Sequence, residues 1–242
     1  MSIPRIRPLI SVLLPTYNAM PFLPEAVDSI IAQTVTDWHL VIVDDGSTDE
    51  TGPYLQQLRE RLGSQVTIIT FPENRGLIEA LNTGLDFCDG LYIARMDADD
   101  ISLPHRFQKQ LLYLLEHPEI DGCGAWIQFF GRDNQIMDVF PADPKEVRDR
   151  LFEFTTIPHP TYFFHRRVYE QFQYDTRFPH SEDVEFLFRA TERLYFSNVQ
   201  EVLLLYRTGP HQVCSKHKVL KEKQRKIIES EARKRRGLES QG

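Results

Sequence analysis

The sequence has few of the features that mark disulfide-stabilised, secreted or membrane-spanning proteins. Its three cysteines, Cys88, Cys123 and Cys214, lie far apart in 242 residues and form no Cys-x-x-Cys pair, which argues against a disulfide framework and a structural zinc site. No run approaches the ~20 apolar residues of a membrane-spanning helix, and Pro4 and Arg5 interrupt any signal-peptide core. We therefore expect a protein of the reducing cytoplasm, with only peripheral membrane contact.

Glycine-rich phosphate loops are also missing. No glycine precedes Gly46, and neither Gly-Lys-Ser nor Gly-Lys-Thr occurs. A dinucleotide-binding Gly-x-Gly-x-x-Gly turn would have to follow the first strand, and a P-loop needs Gly-Lys-Ser/Thr. Both are excluded, so if a diphosphate binds, a metal ion must supply the neutralisation that glycine-loop amides would otherwise give.

The composition is that of an ordinary soluble globular protein, with 41% hydrophobic and 26% charged residues. The net charge of −7 gives no electrostatic footprint for nucleic acid. The C-terminal end is the exception, since ten lysines and arginines lie between Lys216 and Arg236. The length is compatible with a single large domain.

Hydrophobic periodicity predicts an alternation of strands and helices. The predicted strands cover residues 9–14, 40–43, 66–69 and 91–93, and the predicted helices cover 22–31, 77–87 and a segment capped by Ser47 or Thr48 that runs to Leu62. This order implies right-handed crossovers and a mostly parallel sheet flanked by helices, an α/β fold. Further along, we predict helices at 104–116 and 144–152, an apolar segment at 122–130 and a strand at 162–164.

Three carboxylates follow the fourth predicted strand, at Asp97, Asp99 and Asp100. In open α/β sheets ligands bind beyond the carboxyl ends of the strands. Mg²⁺ and Mn²⁺ prefer oxygen ligands, and one or two carboxylates suffice when substrate phosphates complete the shell. The spacing suggests a metal–diphosphate site, although an acidic cluster can also simply solvate a loop.

The combined motifs resemble the family 2 glycosyltransferases. The matching segments are 11–18 (SVLLPTYN), 41–49 (VIVDDGSTD), 74–76 (NRG), 82–84 (NTG), 96–100 (MDADD) and 182–183 (ED). The resemblance implies a GT-A fold with a Rossmann-like, mostly parallel central sheet and a smaller C-terminal acceptor-side region. It divides the chain into a nucleotide-sugar-binding half (1–120), an acceptor-binding and catalytic-base half of the same domain (121–215), and a basic, helical tail (216–242).

The resemblance places Pro15, Thr16 and Tyr17 in the nucleotide-binding turn, with Tyr17 flat against the base. The alternative for Tyr17 is a loop aromatic packed on the core. Asp45 would accept a hydrogen bond from the ring N–H of the base, while Asp44 supports the turn. The same two aspartates would also suit an Asx-turn that leads into a helix cap.

The remaining donor contacts come from Arg75 and the acidic segment. By resemblance Arg75 reaches the base or a phosphate, although a solvated arginine is equally compatible with the pattern. Asp97 would hold the ribose or assist the metal, Ala98 belongs to the same donor-binding segment, and Asp99 would bind the metal. Asp100 would cap the segment that begins at Pro104, or support the site from behind.

The resemblance assigns the general base to Asp183 in preference to Glu182. Both lie at the start of a predicted helix with Ser181 as its cap, so the alternative is that they only offset the helix dipole. His159, which precedes a proline, resembles an element near the acceptor pocket, yet such a pair is also an ordinary turn. His211 and His217 lie where related enzymes fold a segment over the donor.

We therefore expect a metal-dependent, inverting glycosyltransferase that uses Mn²⁺ or Mg²⁺ and a nucleoside-diphosphate sugar, with UDP assigned by family frequency. The chain lacks the Gln-x-x-Arg-Trp motif of processive synthases, so it should add one sugar at a time. The acceptor would be a glycan or lipid-linked saccharide in bacterial surface polysaccharide synthesis. Alternatives are a nucleotide-sugar-binding protein without transfer activity, and a nucleotidyltransferase. The basic tail would either lie on the inner face of the membrane or form a solvated helix.

Overall fold

The computed structural model of the chain describes residues 7–131, 134–209 and 217–238. His211, Cys214 and Lys216, which the sequence analysis singled out, lie outside the described residues. Cys88 and Cys123 are buried free thiols.

Strands and helices alternate in the first half of the chain. The strands are β1 (Ile10–Thr16), β2 (Trp38–Asp44), β3 (Val66–Thr70), β4 (Tyr92–Arg95) and the short β5 (Ile101–Ser102). The helices are α1 (Leu23–Ile31), α2 (Thr51–Leu62), α3 (Leu77–Leu85) and α4 (Arg106–Glu116). All residues of β1 and β2 are buried, which explains why these strands are almost continuous apolar runs rather than alternating ones.

The second half of the chain mixes longer strands with short helices. Its strands are β6 (Gly122–Phe130), β7 (Ile136–Met137), β8 (Phe163–His165) and β9 (Phe196–Arg207). Its helices are α5 (Pro144–Asp149), α6 (Arg166–Gln171), α7 (Glu182–Ala190) and α8 (Lys218–Arg235). Short 3₁₀ helices occupy residues 63–65, 150–152 and 159–161.

In the described ranges, nine strands form one sheet in the order β3-β2-β1-β4-β8-β6-β9-β5, with β7 beside β6. Strands β1 to β4 pair in parallel, as predicted. Strand β8 then runs antiparallel to both β4 and β6, so the sheet becomes mixed where the predicted alternation weakens. The two predicted halves of the chain therefore share one sheet.

Helices cover both faces of this sheet. Along β1, Val12 and Leu14 belong to one core cluster with Ile30 of α1, whereas Leu13 belongs to a second cluster with Leu81 of α3. Successive side chains of a strand point to opposite faces, so β1 contributes to both clusters. Its backbone is fixed from both sides, and so is the loop that begins at its carboxyl end.

Most predicted boundaries differ from the observed ones by one or more residues, and three elements illustrate the difference. Helix α2 begins at Thr51 rather than at Ser47 or Thr48, because those hydroxyl residues bind a neighbouring loop instead. The helix predicted at 144–152 ends at Asp149 and continues as a 3₁₀ turn. The strand predicted at 162–164 is found one residue later, at 163–165.

The basic C-terminal segment forms the helix α8. Its buried residues are Gln224, Ile228 and Ala232, and the last two join the same core cluster as Leu187 of α7. Helix α8 is therefore docked on the domain by a narrow apolar stripe. Within the part of the chain that the structure describes, no helix combines the length and the apolar character that crossing a membrane requires.

Candidate active site

The loops that follow β1 and β2 are tied together by polar contacts. The backbone N–H of Asn18 donates to Ser47 Oγ at 2.9 Å, and the N–H of Thr48 donates to Asn18 Oδ1 at 2.8 Å. Asp44 Oδ1 accepts from the N–H of Ser47 at 3.0 Å, which closes an Asx-type turn. Asp44 thus supports the turn, as the resemblance implies.

Asp45 holds a third loop rather than forming the turn. Its carboxylate accepts from the N–H of Arg75 at 2.6 Å and from the N–H of Gly76 at 2.9 Å. The Asx-turn alternative is therefore wrong for Asp45 and describes Asp44. Gly46 has φ of +72°, and a Cβ there would lie 2.5 Å from the backbone of Glu73, so only glycine allows this close approach.

Tyr17 and Arg75 project from these loops toward solvent. Tyr17 is 49% exposed, so about half of its surface is open to contact with a ligand. The Arg75 guanidinium lies over the ring of Phe71, 4.8 Å from its centroid. Thr16 and Pro15 are buried at the end of β1, where they position Tyr17.

The segment after β4 begins with a buried ion pair. The two terminal guanidinium nitrogens of Arg95, Nη1 and Nη2, bind the Asp97 carboxylate at 2.7 Å and 2.6 Å. The Arg95 side chain is 2% exposed and that of Asp97 is 31% exposed. The Asp97 carboxylate is therefore fixed by a bidentate pair with Arg95, while part of its side chain still faces solvent.

The next two carboxylates are less well compensated. Burial, reinforced by the charge of Asp97, raises the pKa of Asp99 to about 6 and that of Asp100 well above its usual value. Asp100 Oδ1 accepts from the N–H of Arg207 at 2.9 Å, and the Arg207 guanidinium donates to the carbonyl of Asp99 at 2.7 Å. The prediction that Asp100 caps the Pro104 segment is wrong, because Asp100 binds the end of β9 instead.

The described residues contain no cluster of three or more His, Cys, Asp or Glu side chains placed to hold a metal ion. The donor chemistry at Asp99 still fits a hard divalent cation that is bound jointly with phosphate, since one or two carboxylates then suffice. Burial, and then the neighbouring carboxylates, raise the pKa values of Asp99 and Asp100, and a bound cation would favour their charged forms. The residues present therefore fit the implied metal.

The other acidic pair opens helix α7. Burial, and then the neighbouring Asp183, raises the pKa of Glu182 to about 7, and burial raises the pKa of Asp183. Ser181 stands at the N-cap position, but its hydroxyl makes no capping bond to the described first turn of α7. Two adjacent carboxylates in a partly dry environment have the raised proton affinity that a general base needs.

His159 lies against this acidic pair. It is 8% exposed and lies in the 3₁₀ turn at 159–161. Its Nε2 is 2.9 Å from the Tyr174 hydroxyl, and its Nδ1 is 3.9 Å from Glu182 Oε1. Burial, and then Arg95, holds the pKa of His159 well below its usual value, so the imidazole is neutral and does not neutralise Glu182.

Arg95 is the site residue that sequence reasoning missed. Besides pairing with Asp97, Arg95 offsets through its charge a part of the rise in the pKa values of Glu182 and Asp183. Its backbone N–H donates to the Tyr162 carbonyl at 2.8 Å, and the Tyr162 hydroxyl donates to the Asp183 carbonyl at 3.4 Å. Arg95 and Tyr162 together therefore link the acidic segment after β4 to the start of α7. The sequence did contain a signal for this role, because Arg95 is a charged residue within an otherwise apolar strand.

Of the two C-terminal histidines named from the sequence, only His217 lies in the described ranges. Its ring stacks on that of His180, with centroids 3.9 Å apart and planes 9° apart. His180 precedes Ser181 at the entrance to α7. The structure thus places His217 beside the segment that leads to the acidic pair.

Comparison with known proteins shows the family of the chain. The sequence profile of the family described as Glycosyl transferase family 2 matches residues 11–173, and the chain belongs to that family. An uncharacterized glycosyltransferase of Haemophilus influenzae is 29% identical over 220 residues, which are 86% of this chain and 68% of that protein.

Two solved structures show the same fold. S. aureus TarS 1–349 in complex with UDP-GlcNAc has a TM-score of 0.73 at 19% identity, over 85% of this chain and 60% of that one. The mannosyltransferase PcManGT of Pyrobaculum calidifontis, in complex with GDP-Man and Mn²⁺, has a TM-score of 0.69 at 19% identity, over 95% of this chain and 70% of that one. The chain thus has the GT-A glycosyltransferase fold and spans about two thirds of the length of these proteins.

Proposed function

We propose that this chain transfers one sugar, with inversion, from a nucleoside-diphosphate sugar to a hydroxyl group of a glycan or glycolipid acceptor. The observation that carries the proposal is the position of Arg95. It binds the Asp97 carboxylate of the segment after β4 and acts electrostatically on Glu182 and Asp183 of α7. A donor-binding edge and a candidate base are thereby held on one rigid scaffold.

The donor nucleotide is assigned to the edge formed by the first three loops. Tyr17 is exposed beside the Asn18–Ser47 contact and can stack on a base. Asp45 fixes the backbone of Arg75, so that the Arg75 guanidinium stays near this edge. We propose UDP as the nucleotide. The TarS structure contains UDP-GlcNAc and the PcManGT structure contains GDP-Man. Because proteins of this fold thus bind different nucleotides, the preference of this chain has to be measured directly.

Asp99, assisted by Asp97, would hold Mn²⁺ or Mg²⁺ together with the donor phosphates. When bound, the cation supplies charge stabilisation for the departing nucleoside diphosphate. PcManGT is described in complex with Mn²⁺. The solvent-facing part of Asp97 and the raised pKa of Asp99 support this assignment.

Asp183 is proposed as the general base, which takes the proton of the acceptor hydroxyl as that oxygen attacks the anomeric carbon. Its raised pKa brings its proton affinity closer to that required of a base near neutral pH. Attack opposite the leaving diphosphate inverts the configuration. Glu182 precedes this base, and its Oε1 lies 3.9 Å from Nδ1 of the neutral His159.

Product analysis separates this proposal from its two rivals. Release of a nucleoside diphosphate supports transfer, release of pyrophosphate would identify a nucleotidyltransferase, and no release at all would indicate a binding protein. Asp183→Asn tests the base directly, because it should leave donor binding intact and reduce transfer by more than about a hundredfold. Asp175→Asn, which changes a surface carboxylate paired with Arg177, is the matched control.

Calorimetric titration with UDP, GDP and dTDP, each with and without Mn²⁺, tests the donor site. We expect metal-dependent binding of one nucleotide, most tightly UDP. Failure of all three to bind would contradict the donor assignment. Binding that is equally tight without any metal would contradict the role given to Asp99.

The outward face of α8 supports peripheral contact with an anionic membrane. Helical spacing puts Val219, Lys223, Lys226, Ile227 and Lys234 on one exposed strip without an acidic residue. Cationic and apolar side chains on one face are the pattern of interfacial helices. We propose that this strip lies on the inner membrane surface, where lipid-linked acceptors are available, and glycan assembly for the bacterial surface is the process that suits such a location.

A further inference from the structure

A cleft of about 800 Å³ lies at the end of helix α7 that is opposite the acidic pair. Its walls come from the end of α5 and the following 3₁₀ turn, from the turn after α7, and from the end of α8. The acidic pair begins the nine-residue helix α7, so at ~1.5 Å per residue the cleft is roughly 13 Å from it along the helix axis. Nothing in the proposed transfer reaction uses this cleft.

The cleft is lined mainly by arginines. They are Arg148, Arg193, Arg233, Arg235 and Arg236. Two carboxylates, Asp149 and Glu192, also line it, and they pair with Arg148 and Arg235, each at 2.8 Å. In the described part of the chain, neither Arg193 nor Arg233 forms an ion pair with a carboxylate.

The surplus charge exceeds what local structure requires. Glu231 also pairs with Arg235, at 3.9 Å, so five arginines against three carboxylates leave two positive charges. The carboxyl-terminal ends of α7 and α8 each bring about half a negative charge, so about one positive charge remains. The negative ends of these two helices therefore balance only part of the positive charge of the arginine cluster.

Arg236 forms the inner wall of the cleft. Its side chain is 12% exposed, and its guanidinium donates to Thr191 Oγ1 at 3.2 Å. Burial is the main cause that lowers the pKa of Arg236, and the positive charges of Arg148 and Arg235 add to it. The Arg233 guanidinium lies 4.6 Å from the centroid of the Phe152 ring, which gives the cleft one apolar wall beside its cationic ones.

We infer that this cleft binds a phosphate group, as a phosphate ester or as free phosphate. Arginine forks match phosphate oxygens bidentately, and several forks converging on one cleft suit a group with three or more acceptor oxygens. The volume exceeds that of a phosphate ion alone and leaves room for an attached group against Phe152. Because the exposed basic strip of α8 continues toward this cleft through Lys234, the phosphate can come from an anionic lipid headgroup or from solution.

The direct test is calorimetric titration of the full chain with inorganic phosphate and with pyrophosphate. The double variant Arg193→Gln/Arg233→Gln changes two exposed residues of the cleft. The matched control Lys223→Gln/Lys226→Gln removes the same charge from the same region without altering the cleft. We expect saturable binding that weakens about tenfold or more in the arginine variant, since it loses charge-assisted hydrogen bonds, and changes less than about twofold in the lysine variant.

Co-sedimentation with vesicles identifies the source of the phosphate. The protein is mixed with vesicles of phosphatidylcholine alone, or of phosphatidylcholine with a minor fraction of phosphatidic acid. Dependence on phosphatidic acid that the arginine variant loses would indicate a lipid headgroup. Saturable binding of inorganic phosphate without that dependence would indicate free phosphate.

Two outcomes would overturn the inference. One is the absence of saturable binding to both phosphate ions and phosphatidic acid vesicles. The other is an equal loss of phosphate-ion binding in calorimetry in the arginine and lysine variants, which would mean diffuse attraction rather than a site. The thermal unfolding midpoint of each variant is also measured without phosphate. A lower midpoint means that the arginines stabilise the carboxyl-terminal ends of the helices. An unchanged midpoint together with weaker phosphate binding means that they act in binding.

Discussion

Replacing Glu182 by glutamine removes a buried ionisable group whose charge is only partly compensated. Glu182 is 5% exposed, and its Oε2 has no hydrogen-bond partner among the described residues. The pKa of Glu182 rises from 4.5 to about 7, chiefly through burial and then through Asp183. The folded protein therefore binds this proton more tightly than the unfolded chain does.

The sign of the effect follows from proton linkage. The contribution of Glu182 to stability is full below its unfolded pKa of 4.5 and is lost as pH rises through the folded value of about 7. A shift of this size corresponds to about 3 kcal/mol at most. Since glutamine does not ionise, we expect Glu182→Gln to be more stable than the parent protein by up to about 3 kcal/mol at about pH 8.5, and to differ little at about pH 4.5.

Urea unfolding at both pH values measures this difference. Glu170→Gln is the matched control, because it makes the same chemical change at a side chain that is 59% exposed and paired with Arg166. That control should change the free energy of unfolding by less than about 1 kcal/mol at either pH. The test is whether the difference in free energy of unfolding between Glu182→Gln and the parent grows from the lower pH to the higher one. If it does not grow, Glu182 is not an uncompensated buried charge, and the electrostatic description of the site is wrong.

Three further substitutions test the donor site and its scaffold. Asp99→Ala should abolish the metal-dependent part of nucleotide binding in calorimetry, and an unchanged Mn²⁺ effect would exclude Asp99 as a ligand. Tyr17→Ala should weaken nucleotide binding by about 1–3 kcal/mol through lost stacking, with Tyr195→Ala, another exposed tyrosine, as its control. Arg95→Lys keeps the charge but loses the bidentate fork, so urea unfolding should show a loss of about 1.5–3 kcal/mol; unaltered stability would contradict the buried pair with Asp97.

Much of the donor half could be predicted because its signals are local. Apolar runs that end at Pro15, Asp44 and Asp97 indicate parallel strands, and the carboxyl ends of such strands meet at one edge of the sheet. The strands β1, β2 and β4 and their polar loops lie where that rule puts them. The motifs around them also carry the family resemblance that the sequence comparison confirms.

The sequence alone determined which residue types stand at the strand ends, while the tertiary structure decided what each of them binds. Asp45 holds the backbone of Arg75 and Gly76, thirty residues away, and antiparallel β8 enters the sheet between β4 and β6. Through β8 and the preceding turn, His159 reaches Glu182, and Arg95 comes to act on two acidic segments. Hydrophobic periodicity reports only the face on which a residue is buried. The partner of a buried charge depends on which distant segments the packed core brings beside it, and that depends on the whole fold.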